Sequence, residues 1–195
     1  MSRENVEYVP TPSQTVGPYL HIGLTQKNSA PRVAGPQAKG ERVWLRCRVL
    51  DGNGAPLNDA MIEIWQSDSQ GKYNHPDDPR ATTGDSGFRG FGRMGTGEDG
   101  SCEFETIKPG RVPGPGGALQ APHLNIGVYA RGILLQLYTR IYFAGDAANE
   151  QDPVLALVPK ERRETLMAQP DPARAGGWRF DVHLTGEKET VFFDV

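Results

Sequence analysis

Val43-Trp44-Leu45-Arg46-Cys47-Arg48-Val49-Leu50, running into Asp51-Gly52-Asn53-Gly54, is the stretch on which the fold turns. Leu45, Cys47 and Val49 fall on one side of an extended backbone and Arg46 and Arg48 on the other. That is the period-two pattern of a strand with one face in a core and the other in water. The Asp-Gly-Asn-Gly run collects residues that tolerate positive φ and marks a turn. Ala60-Met61-Ile62-Glu63-Ile64-Trp65-Gln66 reads as the returning strand, joined to the first by a hairpin or a Greek-key connection.

Working outward, strands are expected at 102–107, 123–130, 134–143, 178–184 and 190–193. The segment 134–143 is nearly continuous in apolar and β-forming residues and reads as a central strand covered on both faces, one of them by a partner chain. One helix is expected at 159–168, with Pro159 at its first position. The chain carries 24 glycines and 16 prolines in 195 residues, punctuation that argues against a helical bundle. The expected fold is therefore all-β: a β-sandwich of mixed or antiparallel strands with long loops and one or two short helices. The length fits one domain, residues 1–195. Two long stretches, 11–40 and 73–100, show no strand pattern, and loops of that length are usually functional or partner-bound.

Composition excludes several classes. The net charge of −3 gives no footprint for nucleic acid. No run of about 18 apolar residues exists, so no membrane span is expected, and the N-terminus lacks a signal-peptide pattern. Cys47 and Cys102 are isolated from each other and match no metal or redox spacing, so the expected location is the cytoplasm. The histidines His21, His75, His123 and His183 form no common metal-binding pair; His21, His75 and His183 receive no role. With no phosphate loop, nucleophile elbow or deaminase signature, generic motifs leave an enzyme and a binding module equally open.

Four motifs are not generic. Thr11-Pro12-Ser13-Gln14-Thr15-Val16-Gly17-Pro18-Tyr19 resembles the N-terminal signature of intradiol ring-cleaving dioxygenases. Gly71-Lys72-Tyr73-Asn74-His75 resembles the turn carrying that family's first iron-binding tyrosine. Thr106-Ile107-Lys108-Pro109-Gly110 is similar to the turn before the second tyrosine. Ala121-Pro122-His123-Leu124-Asn125, followed by 134–143, is similar to the strand pair bearing the two histidines. The matches keep chain order through Arg179-Phe180-Asp181-Val182. The family uses ferric iron held by two phenolates and two imidazoles, a donor set that suits a hard trivalent ion. What the resemblance implies is O2-dependent intradiol cleavage of a catecholic aromatic acid, protocatechuate, to a carboxymuconate, in aromatic catabolism by the β-ketoadipate pathway.

Carried over position by position, the four ligands fall at Tyr73, Val112, His123 and Asn125. Valine has no donor atom and a neutral amide is a poor ferric ligand, so these are vestigial ligand positions and no metal is expected in this chain. The resemblance is then to the iron-free alpha type of subunit in two-subunit members. It implies a homologous beta subunit that binds Fe(III), alpha–beta protomers in a larger oligomer, and a 1–40 arm packing on the partner while 41–195 forms the sandwich. Thr15, Gly17, Pro18, Tyr19 and Arg131 would bind substrate from this side, with Tyr19 and Arg131 assisting catalysis; a guanidinium suits an anionic substrate. Two other readings stand beside this one. The first is a β-sandwich interaction module that has lost the dioxygenase role. The second is a homodimeric catechol or hydroxyquinol dioxygenase with unusual ligands, for whose usual N-terminal helical domain 195 residues leave no space.

Overall fold

The computed structural model describes residues 13–78, 80 and 87–194. Thr11 and Pro12 of the N-terminal motif, the start of the expected arm and part of the 73–100 stretch lie outside the described residues.

Eight strands carry the fold: β1 (Arg42–Leu50), β2 (Met61–Trp65), β3 (Phe91–Gly95), β4 (Ser101–Ile107), β5 (His123–Tyr129), β6 (Leu137–Phe143), β7 (Met167–Pro170) and β8 (Gly177–His183). They are hydrogen-bonded in the order β3-β2-β5-β6-β7-β8-β1-β4. The seam between β6 and β7 is only two residue pairs long, Tyr142 with Met167 and Phe143 with Ala168. There the sheet folds over, and its two halves close on one core. Leu45, Cys47 and Val49 of β1, Phe104 of β4 and Phe180 of β8 pack in it with Ile62, Ile126, Val128 and Ile141 from the other half. The expected all-β sandwich is observed. It is mixed because β1–β8 and β6–β7 run parallel while the other pairs are antiparallel.

The alternation read in β1 holds: Leu45, Cys47 and Val49 are buried, Arg46 and Arg48 exposed. The hairpin does not form, because β1 and β2 lie in opposite halves and the connection between them crosses over. The helix expected at 159–168 is a 3₁₀ helix, Lys160–Leu166, in which only Leu166 is buried. Its charged run offers no apolar stripe to hold a longer helix, and Ala168 is drawn into the core as part of β7. The expected strand at 190–193 touches β6 at one point, Tyr138 with Phe193. Strand β3 was not visible in the sequence because glycines interrupt it. Those glycines let it pack, since a Cβ on Gly92 would meet the Val33 side chain at 2.7 Å.

Within the expected arm, Val33 and Ala34 are fully buried in this chain's own core, and Ala30 and Arg32 bridge to Arg93 and Glu105. Cys47 and Cys102 are not isolated in space: they face each other across β1 and β4 as buried free thiols. Among the described residues no helix is long and apolar enough to cross a membrane.

Phe104 is completely buried where the two halves meet. Phe104→Ala is expected to lower the unfolding free energy by about 3–5 kcal/mol, read as a lower urea midpoint with an unchanged far-UV spectrum before the transition.

Candidate functional site

Two glycine turns build one end of the sandwich. Beyond β2, the Asp68 carboxylate accepts the backbone N–H groups of Gln70 (2.8 Å) and Lys72 (2.9 Å), closing a turn that presents Tyr73. Gly71 has φ +78°, and a Cβ there would lie 2.0 Å from the Arg111 carbonyl oxygen. A Cβ on Gly110 would sit 2.4 Å from the Gly71 nitrogen. Only glycines permit this approach, and it brings positions 73 and 112 to the same end of the molecule. The Tyr73 amide donates to Asp78 at 2.9 Å. Asp78 is paired with Arg80 (Nη2–Oδ2 2.8 Å), whose guanidinium holds the carboxyl well below its usual range.

The neighbouring wall is the outer face of β5 and β6. Leu124, Ile126 and Val128 point into the core, so His123 and Asn125 share the opposite face. Across the sheet, Asn125 stands beside Trp65 on one side and Arg140 on the other, and His123 is opposite Tyr142. The His123 Nδ1–H donates to the Ala121 carbonyl at 2.8 Å, and the ring tilts against Tyr142 at 5.8 Å. Burial, then the charge of Arg140, pushes the imidazole down to about 4. Tyr73 stacks on Trp65 with ring centroids 6.0 Å apart and hydrogen-bonds the Asn125 side chain. Burial raises its pKa; the Asn125 bond and Arg140 oppose the rise without reversing it, so Tyr73 is a neutral phenol. Val112 is buried, its carbonyl accepting the Gln120 N–H at 2.8 Å. The Gln120 side-chain oxygen accepts from Arg140 Nη1 at 2.6 Å.

Tyr73, Val112, His123 and Asn125 thus lie toward one end of the sandwich, near a residue that sequence reading missed. Arg140 acts electrostatically on both Tyr73 and His123. Intradiol dioxygenases use Fe(III), and these residues do not fit it. Position 112 offers hydrocarbon, the Asn125 amide is engaged with Tyr73, and Arg140 is a fixed cation that repels another. A lone arginine in a β-forming strand was the one available signal, and it acquires meaning only through the register that sets it opposite Asn125.

The proposed pocket residues lie elsewhere. The Gly132 N–H donates to Thr15 Oγ1 at 2.8 Å, tying the 15–19 segment to the turn after β5. Arg131 in that turn is exposed and ion-paired with Asp59. Tyr19 is 89% exposed, and nothing lies within 4 Å of a Cβ built on Gly17. Pro18 opens a short helical stretch, 18–26, that buries no side chain. Thr15 therefore meets the turn that carries Arg131 at the end of β5 remote from His123, a strand length of roughly 20 Å at 3.3 Å per residue. Leu134 and Leu135 are exposed in the same turn, so this edge is a patch of uncovered apolar and cationic groups. His21 bonds the Thr25 hydroxyl at 2.9 Å, His75 packs edge-on to Trp65, and the amide of His183 donates to the Thr190 hydroxyl; these contacts are local.

The sequence profile of a family described as Dioxygenase matches residues 15–186. The protocatechuate 3,4-dioxygenase alpha chain of Burkholderia cepacia is 48% identical, covering 95% of this chain and 97% of that one. That of Pseudomonas putida is 42% identical, covering 97% and 98%. The protocatechuate 3,4-dioxygenase beta chain of Burkholderia cepacia is 31% identical, covering 94% of this chain and 80% of its own length.

Two predictions follow from the geometry. Gly71→Ala adds a Cβ into the Arg111 carbonyl in a left-handed conformation, and the expected cost is about 3 kcal/mol or more, measured by chemical denaturation. His123 protonates near 4 when folded and near 6.5 in the free state, so its stabilising contribution is complete above pH 6.5 and is lost as pH falls toward 4. The unfolding free energy of the wild type should fall over that window by up to about 1.4 kcal/mol per pH unit more steeply than that of His123→Gln.

Proposed function

The chain belongs to the intradiol ring-cleavage dioxygenases, and from that premise we propose that it is the alpha subunit of a protocatechuate 3,4-dioxygenase. The enzyme cleaves protocatechuate with O2 to 3-carboxy-cis,cis-muconate: the bond between the two hydroxyl-bearing ring carbons is broken and both oxygen atoms enter the product. The carrying observation is the substitution at the ligand positions, with Val112 and Asn125 where the donor set requires a phenolate and an imidazole. On this reading the Fe(III) is held by a homologous beta subunit, which supplies the metal chemistry; a protein built this way works in the cytoplasm, as its two buried thiols suit.

The contribution of this chain is then steric and electrostatic. The edge formed by Thr15, Gly17, Pro18, Tyr19 and Arg131 faces the beta subunit and closes its cleft. Thr15 anchors the segment to the Arg131 turn through Gly132. Tyr19, with its side chain free of its own core, reaches the partner and shields the cleft from water. Arg131 exchanges Asp59 for the substrate carboxylate, holding the anionic ring and product in place. Exposed Leu134 and Leu135 supply apolar contact to the partner. The reading as a stand-alone interaction module has no support among the relatives, which carry the names of protocatechuate 3,4-dioxygenase chains or of catechol-type dioxygenases.

Expression of this chain alone should give a colourless protein without stoichiometric iron, and co-expression with the beta subunit a complex with a visible phenolate-to-iron band. A coloured lone chain would overturn the assignment. In the complex, Arg131→Ala should lower kcat/KM for protocatechuate about 10–100-fold, the worth of one charge-assisted hydrogen bond, with iron content and colour intact.

A further inference from the structure

The outer face of β2, β5 and β6 carries a groove of about 520 Å³ that the preceding assignment does not use. A volume of that order suits a small organic ligand. Its floor is Gly127, which contributes no side chain, and its walls are Trp65, Phe91, Asn125 and Tyr138. The acid in it, Glu63, is neutralised by Arg93 at 2.6 Å. Cross-strand register carries the row from Phe91 through Trp65 and Asn125 to Arg140, and Tyr138 lies two residues before Arg140 on the same face of β6. Arg140 is not itself in the groove lining; register sets it next to Asn125, one strand beyond that wall.

Arg140 is unusually placed for a half-buried cation. It forms no ion pair with a carboxylate among the described residues. Its hydrogen bonds, to Gln120 Oε1 at 2.6 Å and to the Tyr142 hydroxyl at 3.4 Å, both use Nη1. The nearby buried acid, Asp152, is occupied by the amides of Ala121, Val154 and Leu155 and by the Tyr142 hydroxyl. The Nε and Nη2 edge, the side that grips a carboxylate in bidentate fashion, has no acceptor among the described residues. Phe193 lies 5.9 Å from the guanidinium carbon, and the stacked pair of Trp65 and Tyr73 stands across Asn125 from it.

We propose that the position matching the family's iron centre is, in this chain, a binding site for a small aromatic carboxylate, with Arg140 taking the carboxylate and Trp65, Asn125 and Gly127 receiving the ring. The protein cation stands where relatives place a metal cation, so an anionic aromatic ligand is retained as a bound species while the chemistry of ring cleavage is not. This site lies at the opposite end of β5 from Arg131. It rests on the assignment of the chain as the iron-free subunit, and it makes each alpha–beta unit a two-site binder: one reactive site, one silent.

Equilibrium dialysis of the anaerobic alpha–beta complex against radiolabelled 4-hydroxybenzoate tests it, with ligation at the iron followed separately by the visible band. The expected result is two equivalents per alpha–beta unit. Arg140→Gln should weaken the second at least 10-fold without altering the band or its response, and Arg140→Lys should restore part of the affinity. A single equivalent in the wild type, or a second equivalent indifferent to Arg140→Gln, overturns the proposal. Should neither variant assemble, the neutral isostere 4-hydroxybenzamide decides on the wild type: binding at the second site as tightly as the acid overturns it, and loss of that binding supports it. The premise fails by a different sign, iron and colour in the lone chain.

Discussion

One row of residues across a sheet governs this protein: Trp65, Asn125 and Arg140, held side by side by the register of β2, β5 and β6. Asn125 alone would only weaken a ferric site. With Arg140 in the adjacent strand, the same place is electrostatically closed to a trivalent cation and open to an anion. Tyr73 is drawn into the row by stacking on Trp65 and bonding Asn125, and stays a phenol because no cation strong enough to ionise it outweighs its burial. His123 is kept neutral by burial and by Arg140 acting together, whereas at Tyr73 the two oppose each other. Val112, Asn125 and Arg140 together give this end of the sandwich a character that suits no ferric ion.

The scaffold tolerates this exchange because it is built independently of the site. The core between the two halves is aliphatic and aromatic, and the polar end is stitched by backbone geometry: the Asp68 turn, the contact of Gly71 with the 110–111 backbone, and the Gln66 side chain bonding the Ile107 carbonyl and the Thr106 hydroxyl across the halves. None of these interactions calls on a metal. Ligand positions can therefore change while the strands that present them keep their register.

The division of labour we propose fits the distance between the two groups of residues. Thr15 and Arg131 sit at one end of β5 and His123 and Asn125 at the other. One chain cannot bring both to a single centre, since a strand is rigid and nearly straight. A cleft assembled from the first group of one subunit and the second group of its homologue can. Tyr19, Leu134 and Leu135 at the Arg131 end are exposed apolar side chains, the kind of surface that the proposed partner contact would cover.

The sequence by itself determined the all-β class, the faces of β1 and the identity of the family, because these depend on local periodicity or on residue type at a motif position. It did not reveal β3, whose glycines erase the strand pattern and are explained only by Val33 and Phe104 pressing on it. It suggested a helix where a 3₁₀ turn and β7 stand, since a proline followed by charges looks helical until the core claims Ala168. It could not show Cys47 facing Cys102, nor that Arg140 sits beside Asn125. Both are facts of strand pairing and register, β1 with β4 and β5 with β6, which residue type and local periodicity do not specify.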